Sequence, residues 1–163
     1  MPTESEARYR VASAELLERL NQLERLDRYT LDDGRRSLVN DTYIDTAGCD
    51  LAQQGWACRL RSDESGVTLT LKGPPSHEAA IVNRIELETP LPAASADPRT
   101  WPPGPWRDQA LELAGERPLS PWIYITQVRI QHVVNDGDRS VAELSLDTVD
   151  LSAIGPRVYI VEC

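Results

Sequence analysis

The chain has 163 residues, and 17 Lys plus Arg against 26 Asp plus Glu leave a formal charge of −9. That length suits a single domain over 1–163 with its own core, and a net acidic chain argues against general binding to nucleic-acid backbones. No apolar run reaches the roughly 18 residues of a membrane span, the first six residues lack the basic and apolar regions of a signal peptide, and Cys49, Cys58 and Cys163 form no CxxC pair, which fits a cytoplasmic setting without disulfides or zinc.

In chain order, apolar residues recur with period two over most of the sequence, which predicts strands. Glu4–Val11 comes first, with Glu4, Glu6, Arg8 and Arg10 on one face. Ser13–Leu26 changes to helical spacing through Leu16, Leu17, Leu20 and Leu23, with Ser13 as N-cap. Strands follow at Arg28–Leu31, Asn40–Thr46, Ala57–Arg61 and Val67–Lys72, the last two joined by the turn Asp63-Glu64-Ser65-Gly66. After a strand at Ala80–Glu88, six of the twelve prolines lie from Pro90 to Pro105, which predicts an irregular surface connection. A second helix, Trp106–Ala114, ends at Gly115. Trp122–Val134, Ser140–Asp150 and Arg157–Cys163 complete the strands, with Asn135-Asp136-Gly137-Asp138 turning between the first two. Many strands with inserted helices make an α+β class with a largely antiparallel sheet.

The charges on these strands are ordered. Arg59 and Arg61 alternate with Cys58 and Leu60; Arg84, Glu86 and Glu88 with Ile85 and Leu87; Arg129 with Val128 and Ile130; Glu143, Ser145 and Asp147 with Ala142, Leu144 and Leu146. Period two sends each set to a single side of the sheet. A solvated sheet face with charges paired across strands is one explanation, each pair adding about 0.2–1 kcal/mol. The like charges at i, i+2 repel, however, unless an anion lies between the arginines and a cation between the carboxylates; a polyphosphate with a divalent metal is the other explanation. Lys72 is the only lysine in the chain. It reads either as a remnant of Arg-biased codon usage or as a position that needs a compact ammonium.

Taken together, Glu4-Ser5-Glu6-Ala7-Arg8, Tyr43-Ile44-Asp45-Thr46, Arg59-Leu60-Arg61, Thr70-Leu71-Lys72-Gly73, Arg84-Ile85-Glu86-Leu87-Glu88, Arg129 and Glu143-Leu144-Ser145-Leu146-Asp147 resemble, in order and interval, the motifs of the CYTH superfamily, the triphosphate tunnel metalloenzymes. The resemblance runs from Glu4 to Glu162. It implies an eight-stranded antiparallel β-tunnel, a closed barrel with a charged interior and outer helices packed through Leu16, Leu20 and Leu111. It also implies Mg2+ or Mn2+ and a triphosphate-containing small molecule, since members hydrolyse tripolyphosphate or thiamine triphosphate, cap RNA ends, or cyclise ATP.

Matched position by position, Glu4, Glu6, Glu143, Asp147 and Glu162 correspond to metal-binding carboxylates. Arg8, Arg59, Arg61, Lys72, Arg84 and Arg129 correspond to the basic residues that hold the substrate, and Lys72, Glu6 and Glu143 to the catalytic groups. Arg8 replaces the usual Lys, Gln127 a basic residue and Ile44 an aromatic. The chain stops at Val161-Glu162-Cys163, where relatives continue through a second glutamate and usually a C-terminal helix, so the domain is expected to be short at that end: either the sequence is truncated there or one metal ligand is absent.

The resulting reading is a metal-dependent inorganic triphosphatase. Its rivals are thiamine triphosphatase, adenylyl cyclase, and a polyphosphate- or nucleotide-binding domain without turnover. No nucleic-acid or membrane partner is expected, and a homodimer is left open. The sequence holds no GxxxxGK[ST] phosphate loop. His77 and His132 are read as structural and Trp56, Trp101, Trp106 and Trp122 as cover for the outside of the barrel. Tyr43 is read either as a substrate contact or as packing.

Overall fold

The computed structural model describes residues 3–78, 81–150 and 158–163, with the backbone alone for 3–6, 76–78, 81 and 82. Its elements are β1 (Thr3–Val11), α1 (Ala14–Asn21), β2 (Arg25–Leu26), β3 (Tyr29–Leu31), β4 (Arg35–Asp45), α2 (Asp50–Gln53), β5 (Ala57–Asp63), β6 (Gly66–Lys72), β7 (Ser76–Glu78), β8 (Ile81–Leu91), a 3-10 turn (Pro98–Thr100), α3 (Pro105–Ala114), β9 (Ser120–Asp136), β10 (Arg139–Asp150) and β11 (Val158–Glu162). Eight of these strands are five residues or longer, and the others are short additions. The strand pairings described below are all antiparallel. No described helix is long and apolar enough to cross a membrane. The chain divides into two compact units within β1, β4 and β9: residues 1–5 with 40–125, and residues 6–39 with 126–163.

In the first unit the strand order is β4-β5-β6-β8, with β7 on β8. One face of this sheet is apolar. Ile44, Cys58, Leu60, Leu69, Leu71, Leu87 and Leu91 are buried there with Leu51, Trp101, Ala110, Leu113, Ala114 and Leu119. Alternation therefore puts the intervening residues on the other face. The turn Asp63–Gly66 joins β5 to β6 as expected, with the Asp63 carboxylate accepting from the Ser65 backbone amide at 2.7 Å.

In the second unit the order is β1-β11-β10-β9-β3-β2. Val11, Leu17, Val134, Leu144 and Leu146 form its core, with Leu20, Leu26, Tyr29, Leu31, Ile130 and Tyr159 packed against them. His132 is buried on this apolar side. Its Nδ1 lies 2.9 Å from the Asp32 carbonyl and its Nε2 3.1 Å from Asn21 Oδ1, so its role is structural. Gly34 has φ +72°, and a Cβ there would lie 2.5 Å from the His132 ring.

Helix α1 ends at Asn21 rather than Leu26, because the chain turns back at once so that Arg25–Leu26 can pair with Tyr29–Thr30. Ser13 does cap it, accepting from the Leu16 amide at 3.3 Å. Leu17 and Leu20 face the core, but Leu16 and Leu23 lie off that stripe and are exposed. Pro90 belongs to β8 opposite Thr68, because the strand carries on until Leu91 is buried. Trp101 is buried in the first core with Trp56 and Trp106 packed on it; of the four, Trp122 alone is exposed, at 54%. His77 lies in β7, and its side chain is outside the described residues.

Candidate functional site

The side of the first unit's sheet opposite its apolar core carries charge in ordered rows. Asp41 faces Arg61, which faces Thr68. Tyr43 faces Arg59, then Thr70, then Glu88. Ala57 faces Lys72, which faces Glu86. Arg61 donates through Nε to Asp41 Oδ1 at 2.8 Å and through Nη2 to Oδ2 at 2.8 Å. Arg59 Nη1 lies 3.8 Å from the same Oδ2, and its Nη2 donates to Thr70 Oγ1 at 3.2 Å. Thr70 in turn donates to Glu88 at 3.1 Å. Lys72 Nζ sits 3.3 Å from Glu86. Arg84 shares the face of Glu86 and Glu88 on β8.

The second unit has a matching arrangement. Asp147 lies directly opposite Arg129, and the guanidinium donates to both carboxylate oxygens, at 2.8 and 2.6 Å. Arg129 Nη2 also donates to Glu162 at 2.9 Å, while the other Glu162 oxygen pairs with Arg8 at 2.5 Å. Glu162 therefore lies on the charged face although it shares its strand side with Ile160 and Val158. Arg8 and Ser145 are its cross-strand neighbours.

These charges do not form an ordinary solvated face. The side chains of Arg59, Arg61, Lys72 and Arg129 are 14–16% exposed. Asp41 and Asp147 are 4% and 2% exposed. The repulsion between like charges two residues apart is offset within the protein by carboxylates on the neighbouring strands. Removing one partner from such a buried pair costs about 3–5 kcal/mol, because the charge left behind stays buried without compensation. Arg59 Nε is buried without a hydrogen-bond partner.

The sequence-predicted residues are thus partly brought together. Arg59, Arg61 and Lys72 line adjacent strands of one face, and Arg8, Arg129, Asp147 and Glu162 form one ion-paired group. Glu143 stands apart from that group, exposed and accepting from Gln131 Nε2 at 2.7 Å. The side chains of Glu4 and Glu6 lie outside the described residues. Among the described residues, no three His, Cys, Asp or Glu side chains converge as a metal-binding group. Asp147 and Glu162 are hard carboxylate donors of the kind Mg2+ or Mn2+ takes, and a cation would take the place of the Arg129 and Arg8 guanidiniums that engage their oxygens.

Asp41, Thr70, Glu86 and Glu88 were not singled out as site residues from the sequence. The period-two spacing of Asp41, Tyr43 and Asp45 is a signal that could have found the first. Asp45 itself is a structural carboxylate. It accepts from the amides of Thr46, Leu51 and Ala52 at 2.7–3.0 Å and so fixes the start of α2. Ile44 is in the core, and Gln127 is buried. Tyr43 is half-buried on the charged face.

Known structures share this fold. A candidate adenylyl cyclase from Hippeastrum, described as having a dominant triphosphatase activity, aligns with TM-score 0.77 and 19% identity over 98% of this chain and 78% of its own. A candidate adenylate cyclase from Bacillus halodurans aligns with TM-score 0.61 and 21% identity, covering 99% and 81%. The PH1819 protein of Pyrococcus horikoshii gives 0.58 and 18%, covering 97% and 77%. No curated protein matches the sequence. The family comparison matches the CYTH domain over residues 2–162, and the chain belongs to the CYTH domain family.

Proposed function

We propose that the protein hydrolyses inorganic tripolyphosphate to pyrophosphate and phosphate, with Mg2+ or Mn2+, in an eight-stranded closed tunnel of the kind the family resemblance implies. The observation that carries this reading is the set of three largely buried cations, Arg59, Arg61 and Lys72, on adjacent strands of one sheet face. Guanidinium forks and a compact ammonium suit phosphate oxygens. Phosphoryl transfer asks mainly for positioning and charge neutralisation.

In this reading Arg8, Arg59, Arg61, Arg84 and Arg129 bind and orient the phosphate chain. Lys72 stabilises charge on the leaving oxygens as the phosphoanhydride bond breaks. Asp147 and Glu162, with Glu4 and Glu6, would hold the cation, which when bound supplies charge neutralisation and a more acidic water. Glu143, exposed and held by Gln131, takes the proton of the attacking water.

A second reading, adenylyl cyclase, takes its support from the description of the Bacillus halodurans neighbour, whereas the Hippeastrum protein is described as dominantly a triphosphatase. Phosphate release from tripolyphosphate, thiamine triphosphate and ATP, with each metal and with a parallel assay for cyclic AMP, separates the readings. Tripolyphosphate should be turned over fastest. Faster release from thiamine triphosphate, or cyclic AMP as the main product from ATP, would replace the proposal.

A further inference from the structure

We infer that Asp41 is a positioning residue that sets both the orientation of Arg61 and the anion affinity of the Arg59–Arg61 pair; this rests on the proposed phosphate-binding role of those arginines. The two guanidiniums extend from the same face of β5, two residues apart. Like charges so placed repel. Asp41, on the neighbouring strand, touches both: it takes the Nε–Nη2 edge of Arg61 in two 2.8 Å bonds and lies 3.8 Å from Arg59. It is 4% exposed, so water does little to screen it.

A side-on fork of this kind fixes the guanidinium plane before any ligand arrives. The same carboxylate lowers the charge of the trio from +2 to +1, which opposes an incoming polyanion. Asp41 thus gives up binding strength in return for fixed geometry, and only interactions correctly placed in the transition state raise turnover. Thr70 plays the lesser part for Arg59, bonding one end of its guanidinium and passing that bond on to Glu88.

The two roles predict opposite effects of one substitution. Asp41→Asn keeps the shape and one acceptor oxygen but removes the charge and one of the two fork bonds. It should bind inorganic tripolyphosphate about tenfold more tightly at low salt, measured by calorimetry in chelator, while its kcat with metal falls by about tenfold or more. A merely structural residue would weaken both. Asp41→Glu retains the charge but displaces the fork, so its affinity should stay near that of the wild type while its kcat falls.

A third readout needs neither ligand nor turnover. In the wild-type spectrum, the Arg61 Nε–H proton should exchange slowly with water and disappear from its position in Arg61→Lys. In Asp41→Asn it should exchange faster. If Asp41→Asn does not fold, the slow wild-type Nε–H proton and the Asp41→Glu variant still decide the question. An Arg61 Nε–H that exchanges rapidly in the wild type, or tripolyphosphate affinity that falls together with kcat in Asp41→Asn, would overturn the inference. Tight tripolyphosphate binding without any turnover would instead count against the proposed reaction, leaving the affinity and exchange comparisons to judge Asp41.

Discussion

Arg129 and Asp147 face each other directly across β9 and β10, and one guanidinium occupies both oxygens of a carboxylate that is almost fully withdrawn from solvent. The same guanidinium reaches Glu162 at 2.9 Å. An internal cation thus sits between two carboxylates that the family resemblance matches to metal ligands.

Arg129→Ala should therefore lower stability by about 3–5 kcal/mol, because Asp147 stays buried without its partner. For a domain of this length that corresponds to a fall in Tm on the order of 10 °C. Mn2+ should restore more of the Tm in the variant than it adds to the wild type, since the metal can then take the vacated place between the carboxylates. Melting curves in chelator and in Mn2+ check both points, and a variant that melts with the wild type in both would contradict the arrangement.

Lys72→Ala removes a largely buried ammonium 3.3 Å from Glu86. Stability should fall by about 1–3 kcal/mol, the cost of leaving the carboxylate without that partner. Loss of one charge-assisted phosphate contact, roughly 1.5–3 kcal/mol, should lower kcat/KM by about ten- to a hundredfold. Lys72→Arg should recover only part of it, because a planar fork places its donors differently. Wild-type turnover in Lys72→Ala would exclude Lys72 from the reaction.

Gly34→Ala should cost about 2 kcal/mol or more. Its φ of +72° is strained for alanine, and the added methyl would lie 2.5 Å from the buried His132 ring. Urea unfolding measures the loss; a variant as stable as the wild type would mean that the loop before β4 is not held against β9 by His132.

Burial, and secondarily the negative charge of Asp45, pushes the Cys58 thiol well above its ordinary value of 9.0. Because the folded-state value is raised, the contribution to stability is fully present below the unfolded thiol's value. It declines as pH rises above that value, by roughly 1.4 kcal/mol per pH unit. Cys58→Ala should remove this component, so the difference in stability between wild type and variant should narrow or reverse between pH 8 and pH 10. A difference independent of pH would show that Cys58 is accessible to base in the folded state.

The long strands were legible from period-two alternation, and so was the choice of face: Arg59 and Arg61 alternate with Cys58 and Leu60, which are buried in the core. Register was not. Nothing local in Asn40–Thr46 says that Asp41 will stand opposite Arg61, because that pairing is set by where β4 and β5 come to lie in the sheet. Helix α2 was invisible for a related reason: its four residues carry no periodicity, and Asp45, five residues before its start, supplies its N-terminal hydrogen bonds. The end of α1 was overestimated because Leu23 and Leu26 continue a helical spacing that the pairing of β2 with β3 overrides. Asp41 and Asp147 offset the arginines beside them, so the like-charge spacing does not by itself require a ligand between them.

Phosphorus NMR of tripolyphosphate incubated with the protein tests the central claim most directly. With Mg2+ or Mn2+, pyrophosphate and orthophosphate should appear in equal amounts, and the reaction should stop in chelator and in an Arg59→Ala, Arg61→Ala double variant that retains its fold. Undiminished hydrolysis by the folded double variant, or intact tripolyphosphate with either metal, would contradict the account.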